Sequence, residues 1–398
     1  MTRTLPSVLA LFALLAVSCD KKPPPPAPPA AAPAKEWRAQ GQKAIERGLE
    51  FLRSRDGDGD GVWEMGPGAK VAGITAMCLL AHFQSPLPLD EKTHPSLWKG
   101  LRWLASLQQA DGSIFQKEEG NANYVTSVSL MAFVLSGDAR FQGAVERGRS
   151  YLLSAQVPEG EYEGGFGYAD KAAQGKEPYA DIVNTEFALE ALRNAGLPPE
   201  HEAWKRAVKY LQKCQHDSER NHAAWVTNLT EYRGGFVYHP DASKAESAKV
   251  VEGNVSKDIL LPYGTVTYAG IKSMIYAHLA KDDPRVLAAV DWIRRHWTLE
   301  ENPGFDVKRD PNLGKQGYFY YFTTFAKALH VLGNDTIKDA KGIEHPWREE
   351  LVARVVSLQN PKTGAWKNTW HDRWFESLEE LATSYAVIAL SFALMENR

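Results

Sequence analysis

Apolar residues recur at helical spacing along most of the chain, and the helices that they indicate come in pairs. In 99–114, an amphipathic run ends at Gln108 and is followed by an Asp-Gly turn and an apolar residue. A more apolar helical run follows at 124–136. Residues 353–366, near the other end of the chain, show the same order, with Gln359 before the turn. This pattern predicts a repeating unit of two helices joined by a glycine-containing corner.

Six copies of this unit follow a Pro-rich N-terminal segment, at a spacing of about fifty residues. The first helix of each copy carries charge on one face, whereas the second is rich in Ala, Leu and Tyr. The first helices include 47–52, 99–108, 147–152, 206–211, 289–293 and 347–358, and the second helices 72–82, 124–136, 181–195, 263–280, 318–332 and 378–395.

The alternation of amphipathic and apolar helices predicts two layers. The apolar helices form a buried inner ring, and the amphipathic helices form an outer ring that faces water. An open solenoid is the alternative, but it requires atypical capping repeats, and the first and last copies are as apolar as the middle ones. We therefore predict an all-α fold, an (α/α)6 toroid of six helix-pair repeats.

The corners carry the pattern Lys/Arg-Gly/Ala-x-x-aromatic-Leu-x-x-x-Gln-x-x-x-Gly-x-aromatic, which resembles the QW repeat of squalene cyclases and of the related protein-prenyltransferase β subunits. The resemblance extends over essentially the whole chain after the Pro-rich segment, and it implies the same (α/α)6 barrel. Copies one and five lack the glutamine, and Trp297 stands near its place in copy five. We expect the glutamine either to cap the last carbonyls of its outer helix or to bind the turn.

The N-terminal residues are expected to attach the protein to a membrane rather than to join the fold. An apolar run at 5–17 is too short to span a bilayer, and small residues precede Cys19, as in a bacterial lipoprotein signal. An ordinary secretory signal with a chance cysteine is the alternative. We interpret 1–19 as the signal peptide, 20–36 as an extended Pro/Ala-rich tether, and 37–398 as the toroid domain of a lipid-anchored envelope protein.

The composition of the chain limits the classes of partner that we expect. The chain is 44% hydrophobic and 24% charged, with a formal net charge of -3. It has no basic excess to neutralise phosphates, so nucleic acid is not expected as a partner. Cys78 and Cys214 fall in helical patterns and are interpreted as small buried residues, with a disulfide between them as the alternative. We expect a monomer that takes a small molecule.

In a closed ring, the N-terminal ends of the inner helices surround one end of a central cavity. These ends are rich in aromatic and hydroxyl side chains, which suits an apolar or cationic ligand because aromatic faces stabilise positive charge. Helix packing, with each tyrosine hydroxyl bonded to a loop, is the alternative role. The candidate ligand-binding residues at these ends are Tyr124, Asn184, Thr185, Tyr263, Tyr268, Tyr320 and Tyr321.

The inner helix of copy three begins with Asp-Ile-Val-Asn-Thr-Glu at 181–186. In squalene cyclases, the matching helix opens with Asp-x-Asp-Asp-Thr-Ala, whose central aspartate protonates the isoprenoid. Asp181 and Thr185 match this motif, but Val183 stands where the proton donor belongs and Asn184 replaces the other carboxylate. Asp181 is a candidate catalytic acid, with a helix N-cap as the alternative. The zinc-binding Asp-x-Cys of the prenyltransferases does not occur in the sequence.

The loop before the last inner helix mixes carboxylates with aromatics. Asp372 and Glu376 are candidates for the paired carboxyl groups of a sugar-cleaving enzyme, with Trp374 against the ligand. A solvated acidic loop is the alternative. His239, in the loop after the fourth corner, is either a further ligand-binding residue or an ordinary exposed histidine.

A separate acidic segment precedes the first inner helix. Asp56, Asp58 and Asp60 alternate with glycines, as in the first half of an EF-hand-like loop, and predict a candidate structural Ca²⁺ site. Pro67 occupies the twelfth position, where a bidentate acid is expected, and a flexible acidic turn is the alternative.

The sequence leaves three functions open. The first is the binding or transformation of an apolar, isoprenoid-like ligand in the central cavity, with a degenerate acid motif. The second is a carbohydrate lyase or hydrolase acting on a glycan, and the third is a non-catalytic interaction scaffold. The second rests on analogy with other barrels of this shape.

Overall fold

The structure is a computed structural model that describes residues 34–56, 58–66, 68–118, 120–168 and 179–396. Within these residues, twelve α-helices alternate as the outer and inner members of six pairs. The outer helices are α1 (Ala34–Ser54), α3 (Pro95–Ser106), α5 (Gln142–Ala155), α7 (Glu202–Lys213), α9 (Pro284–Arg295) and α11 (Trp347–Ser357). The inner helices are α2 (Ala72–Gln84), α4 (Ala122–Ser136), α6 (Ile182–Asn194), α8 (Gly264–Tyr276), α10 (Tyr318–Leu332) and α12 (Glu379–Leu394).

The six inner helices form a closed ring. Each contacts the next in the order α2, α4, α6, α8, α10 and α12, and α12 returns to contact α2. The outer helices pack against the inner ones from outside, as α1 does against α12 and α2. An open solenoid would leave α2 and α12 apart, so the predicted (α/α)6 toroid is confirmed.

Burial separates the two layers as the sequence pattern predicts. In the inner helix α12, every residue from Glu380 to Ala393 is buried. In the outer helix α7, only Ala203, Trp204, Ala207, Tyr210 and Leu211 are buried, and they lie along one face. The hydrophobic core therefore lies between the rings and inside the inner one.

The corner glutamines join neighbouring repeats. Gln156 Nε2 donates to the carbonyl of Gly164 in its own turn (2.8 Å) and to that of Ala203 in the next outer helix (2.9 Å). The glutamine therefore binds the turn, one of the two predicted roles, and its second bond crosses to the next repeat rather than capping its own helix. Equivalent pairs of bonds are made by Gln108 to Gly112 and Ala144, by Gln215 to Gly234 and Arg285, and by Gln359 to Gly364 and Ala44.

A turn glycine and a threonine complete five of the six corners. Gly164 has φ +86°, and a Cβ there would lie 1.9 Å from the carbonyl oxygen of Arg206, so the backbones approach too closely for any side chain. Thr185 Oγ1 in α6 accepts the backbone N–H of Phe166, the aromatic residue after the turn (3.0 Å). The same bond is made by Thr75, Thr126, Thr267 and Thr383.

Copy five, which lacks the glutamine, has a substitute contact. Trp297 Nε1 donates to Glu350 Oε2 of α11 at 3.4 Å, so an indole bridges to the next outer helix in place of the amide. The tryptophan ring also stacks on His345 at 4.8 Å between centroids. The absence of the glutamine therefore does not interrupt the ring.

The insertion after the fourth corner contains an antiparallel hairpin, β1 (Ser247–Glu252) and β2 (Val255–Leu260). A second short pair, β3 (Ile337–Lys338) and β4 (Glu344–His345), precedes α11. Cys78 and Cys214 are buried and unbridged, in agreement with the interpretation as small core residues.

The predicted N-terminal segments are only partly described. Cys19, the signal peptide and most of the tether lie outside the described residues. Helix α1 already begins at Ala34, inside the predicted tether, because the Ala-Lys-Glu sequence there favours a helix. No helix within the described residues is both long and apolar enough to cross a membrane.

Candidate ligand-binding site

A cavity of about 460 Å³ lies among the N-terminal ends of the inner helices. All six inner helices or the residues just before them contribute to its wall, as expected for a closed ring. The wall is mostly aromatic and aliphatic. Its aromatic residues are Tyr124, Tyr168, Phe187, Tyr238, Tyr263, Tyr320, Trp374, Phe375 and Tyr385, and its remaining large apolar residues are Met65, Val71, Ile74, Val125, Val183, Leu378 and Leu381.

The mouth of the cavity is apolar and solvent-exposed. Met65, Trp374 and Phe375 all belong to the wall and are 42%, 36% and 64% exposed. Trp374 and Phe375 adopt positive φ angles of 65° and 62°, a strained conformation for bulky residues. Trp374 packs on Gly317 at the start of α10, where a Cβ would lie 2.9 Å from the indole. This loop is therefore held over the cavity by close packing against a glycine.

Glu376 is the only carboxyl group among the described residues of the wall. It is buried in the loop that precedes α12. Its Oε1 accepts the backbone N–H of Tyr320 (2.8 Å), and its Oε2 accepts Asn368 Nδ2 (2.9 Å). Burial raises the pKa of Glu376 to about 7, although these N–H donors favour the charged form. The carboxyl can therefore change its protonation state near neutral pH.

The start of α6 places an apolar residue where the squalene-cyclase motif has its proton donor. Val183 belongs to the cavity wall, whereas Asp181 is fully buried behind it. Asp181 caps α6 by accepting the backbone N–H of Asn184 (2.8 Å), and it also accepts Asn184 Nδ2 (2.9 Å). Burial raises the pKa of Asp181, although the nearby Asn184 and Tyr238 favour its charged form. The N-cap alternative for Asp181 is thus present in the structure.

The inner end of the cavity is an aromatic floor formed by Tyr124, Phe187, Tyr320 and Tyr385. Phe187 stacks on Tyr320 at 5.8 Å between centroids, and Tyr124 meets the Phe187 ring edge-on at 5.1 Å. Tyr385 lies 5.3 Å from Tyr320. The hydroxyls of Tyr124 and Tyr385 lie near each other.

A buried ion cluster, Glu186, Glu190, Lys272 and Lys327, lies beneath this floor and joins α6, α8 and α10. Lys272 contacts both glutamates, and Lys327 Nζ lies 2.9 Å from Glu190 Oε2. Tyr320 Oη donates to Glu186 Oε2 at 2.6 Å, which connects the floor to the cluster.

Two members of the cluster, Glu190 and Lys272, are held in their charged forms, whereas burial lowers the pKa of Lys327. Burial alone would raise the pKa of Glu190, but Lys272 and Lys327 lower it to about 2. Burial would likewise lower the pKa of Lys272, but Glu186 and Glu190 raise it above its ordinary value. Attraction between the paired charges offsets the hydration that each group loses on burial.

The structure brings several sequence-predicted residues together and leaves others apart. Tyr124, Asn184, Tyr263, Tyr320, Trp374 and Glu376 lie in the wall. Those that lie outside it are Thr185, Tyr268, Tyr321, His239, Asp181 and Asp372.

The residues outside the wall have other contacts. Thr185 binds a corner backbone, and Tyr268 packs between the rings of Tyr321 and Phe325. Tyr321 donates to the carbonyl of Thr298 (2.7 Å). His239 lies 5.3 Å from the ring of Tyr179. Asp372 is exposed in its loop.

The candidate calcium site is not assembled. Asp60 Oδ2 pairs with Lys70, and Asp60 Oδ1 accepts the backbone N–H of Val62 (3.0 Å). Asp56 instead accepts the backbone N–H of Gly61 (2.9 Å). In the part of the chain that the structure describes, no three His, Cys, Asp or Glu side chains, Asp58 included, group as metal ligands. The carboxylates of Asp56 and Asp60 shape the turn instead.

Sequence reasoning missed the floor residue Phe187, the mouth residues Met65 and Phe375, and the whole ion cluster. A signal for the cluster was present, because Lys272 and Lys327 are the lone cations in otherwise apolar inner helices. Such charges are rarely buried unless they are paired.

Comparison with known proteins agrees with this architecture. Residues 65–238 match the family model of the squalene-hopene cyclase C-terminal domain. A type II terpene cyclase variant from Scytonema, MstE in its apo form, is 14% identical, with a TM-score of 0.56 over 91% of this chain and 99% of that one. No curated protein matches the chain.

Two further solved structures of the same cyclase contain ligands. One is in complex with geranylgeranyl dihydroxybenzoate, its substrate, and is 15% identical with a TM-score of 0.55 over 90% of this chain and 98% of that one. The other holds its product, merosterolic acid A, at 16% identity and a TM-score of 0.54 over 91% of this chain and 99% of that one. At such identities the likeness shows the fold. The family-model match over residues 65–238 and the QW-type corners add that the chain is similar to squalene cyclases in sequence as well.

Proposed function

We propose that the protein binds an apolar, isoprenoid-like ligand in its central cavity. The observation that carries this proposal is the composition of the wall, in which nine aromatic side chains and a set of large aliphatic ones surround about 460 Å³. A hydrocarbon chain loses unfavourable contact with water in such a site, and aromatic faces add attraction for double bonds or positive charge.

The solved relatives support the ligand class. The substrate named for the Scytonema cyclase carries a geranylgeranyl group, and that enzyme shares the toroid. In this chain the mouth residues Met65, Trp374 and Phe375 are apolar and exposed, so a hydrocarbon ligand meets apolar surface before it reaches the interior.

The wall favours binding over cyclisation started by an acid at the motif position. Val183 lies in the wall where the squalene-cyclase motif places its proton donor, and valine has no proton to give. Asp181 is buried behind that position as a helix cap. The proposal is therefore a binding role, or a transformation that does not begin with an acid at position 183.

A glycan is a poorer fit to the same wall. Sugar-cleaving enzymes of the usual kind need two carboxyl groups about 5–10 Å apart across the bond that breaks. Among the described residues of the wall Glu376 is the only carboxyl group, and Asp372 is exposed outside it. The cavity also argues against the third alternative, a non-catalytic scaffold, for which we expect a filled centre.

The test is extraction of the purified protein with organic solvent, followed by mass spectrometry, together with native mass spectrometry of the intact protein. We expect an apolar molecule to accompany the wild type and to be lost in Val183→Trp, in which an indole obstructs the cavity. Circular dichroism of both proteins checks that the helices are intact. The proposal is wrong if the wild type carries no apolar molecule and does not bind added geranylgeraniol, or if it depolymerises a glycan.

We infer the cellular location from the sequence around Cys19. The short apolar run before this cysteine supports lipid attachment in the bacterial envelope. Labelled palmitate should be incorporated into the wild type and not into Cys19→Ser, and the variant should leave the membrane fraction. Equal labelling of both proteins would contradict lipidation at Cys19.

A further inference from the structure

We infer that the aromatic floor selects the ligand by the length and the polarity of its inner end, so that the ligand binds with its hydrocarbon end inward and stops at Phe187 and Tyr320. This inference rests on the proposed function and adds to it a requirement on the ligand. It assigns to two residues of the floor a role in specificity.

The cavity occupies only part of the bore, by which we mean the space that the six inner helices enclose. On α6 the deepest wall residue is Phe187, the sixth residue of the helix, and on α12 it is Tyr385, the seventh. At 1.5 Å of rise per residue, the cavity reaches roughly 10 Å along inner helices that are roughly 20–24 Å long. The bore is therefore closed about halfway.

The ion cluster is what fills the bore beneath the floor. Glu190 follows Phe187 by about one helical turn, and it bonds to Lys272 of α8 and Lys327 of α10. All of these side chains are nearly inaccessible to solvent. Pulling such paired charges apart in the interior is costly, so the floor cannot recede to admit a longer ligand.

The two floor residues that stop the ligand offer it no hydrogen-bond donor. Tyr320 donates its hydroxyl to Glu186 beneath it. Phe187 has no polar side-chain atom. A polar group placed against these two rings would lose its bonds to water without gaining a donor there, which is unfavourable.

The opposite end of the cavity lacks this restriction. The mouth residues Trp374 and Phe375 are exposed, so a polar end placed beside them stays in contact with water. The two ends therefore impose one orientation on an amphiphilic isoprenoid: its polar group lies at the mouth and its hydrocarbon end lies on the floor.

The experiment measures equilibrium binding of geraniol, farnesol and geranylgeraniol to the purified full chain by titration calorimetry. Phe187→Ala removes the ring at the floor. We expect it to shift the ratio of affinities toward geranylgeraniol by about tenfold or more, because additional methylene groups become buried. Phe187→Leu, which keeps an apolar side chain and is less disruptive to folding, should shift the ratio in the same direction by less.

Leu381→Ala is the matched control, because Leu381 lies in the wall within the first turn of α12 and not on the floor. It should weaken all three prenols alike. Farnesol with a second hydroxyl at its far end should bind the wild type about tenfold or more weakly than farnesol, since that hydroxyl meets the floor.

The possible outcomes distinguish a failure of this inference from a failure of the proposed function. If the prenols bind but the Phe187 variants leave the length preference unchanged, or if the dihydroxy compound binds as tightly as farnesol, the inference is overturned and the proposed function stands. If no prenol binds the wild type, both are overturned.

Discussion

Four of the six corners of the ring repeat one set of contacts, whereas the residues inside the ring differ from helix to helix. Gln156 and Gln215 make the same two bonds in successive repeats, each to its own turn and to the next outer helix. In the bore, α6 contributes Phe187 and two glutamates where α10 contributes Tyr320 and a lysine. The corner contacts therefore specify the fold, and the side chains inside the ring can differ without changing it.

The largest loss of stability is expected from a substitution in the ion cluster at the centre of the ring. In Lys272→Met, Glu186 loses its cation and Glu190 keeps only Lys327, which leaves uncompensated buried charge. We expect a loss of about 3–5 kcal/mol in the free energy of unfolding, measured by urea denaturation.

Arg309→Met is the control for Lys272→Met, because Arg309 pairs with Glu246 in full contact with solvent. Its unfolding midpoint should not differ measurably from that of the wild type. Equal effects of the two substitutions would show that the central cluster is not a buried ion system and would remove the contrast between centre and periphery.

The next effect concerns the single carboxyl group of the cavity wall. The pKa of Glu376 is raised by burial to about 7 in the folded protein, above its ordinary value of 4.5. Between these two pH values the folded state holds a proton that the unfolded state has released, so the free energy of unfolding falls as pH rises through this window.

The contribution of Glu376 is on the order of 3 kcal/mol, fully present below pH of about 4.5 and lost above about 7. Urea denaturation at several pH values should show this decline in the wild type relative to Glu376→Gln, which cannot ionise. Parallel curves for the two proteins across the window would contradict the raised pKa.

The smallest loss of stability is expected from a substitution of a corner glutamine. Gln215→Ala removes two hydrogen bonds and leaves the carbonyls of Gly234 and Arg285 without this donor. We expect a loss of about 1–2 kcal/mol in the free energy of unfolding. Gln42→Ala serves as control, since Gln42 is exposed on α1 and bonds only to Glu46. A corner substitution as harmless as the control would mean that the repeated contacts do not hold the ring.

The sequence predicts the corners well because their signal is local and repeated. The partner of each glutamine could not be predicted in the same way: Gln156 and Ala203 meet only when consecutive repeats pack together. The helix pairs follow from periodicity, and their closure from end copies that are as apolar as the middle ones. Contacts between repeats depend instead on the rotation and depth of each helix.

Neighbouring residues of the candidate site show why its membership was harder to predict. Asn184 lies in the wall, but Thr185 turns to a corner. Tyr320 forms the floor, whereas Tyr321 bonds to the carbonyl of Thr298 outside the cavity. Successive residues on a helix point about 100° apart, so residue type alone does not decide which of two adjacent side chains enters the cavity.

The bond from Gln359 to Ala44 has a consequence for how the protein reaches its fold. Together with the bond from Arg38 Nη1 to the carbonyl of Leu394, which spans 356 residues, it joins the first helix to the last two. Contacts this distant in sequence are entropically costly and form late. The apolar face of α1 has no partner in α11 or α12 until nearly the whole chain is available for folding, so we expect closure of the ring to be a late step.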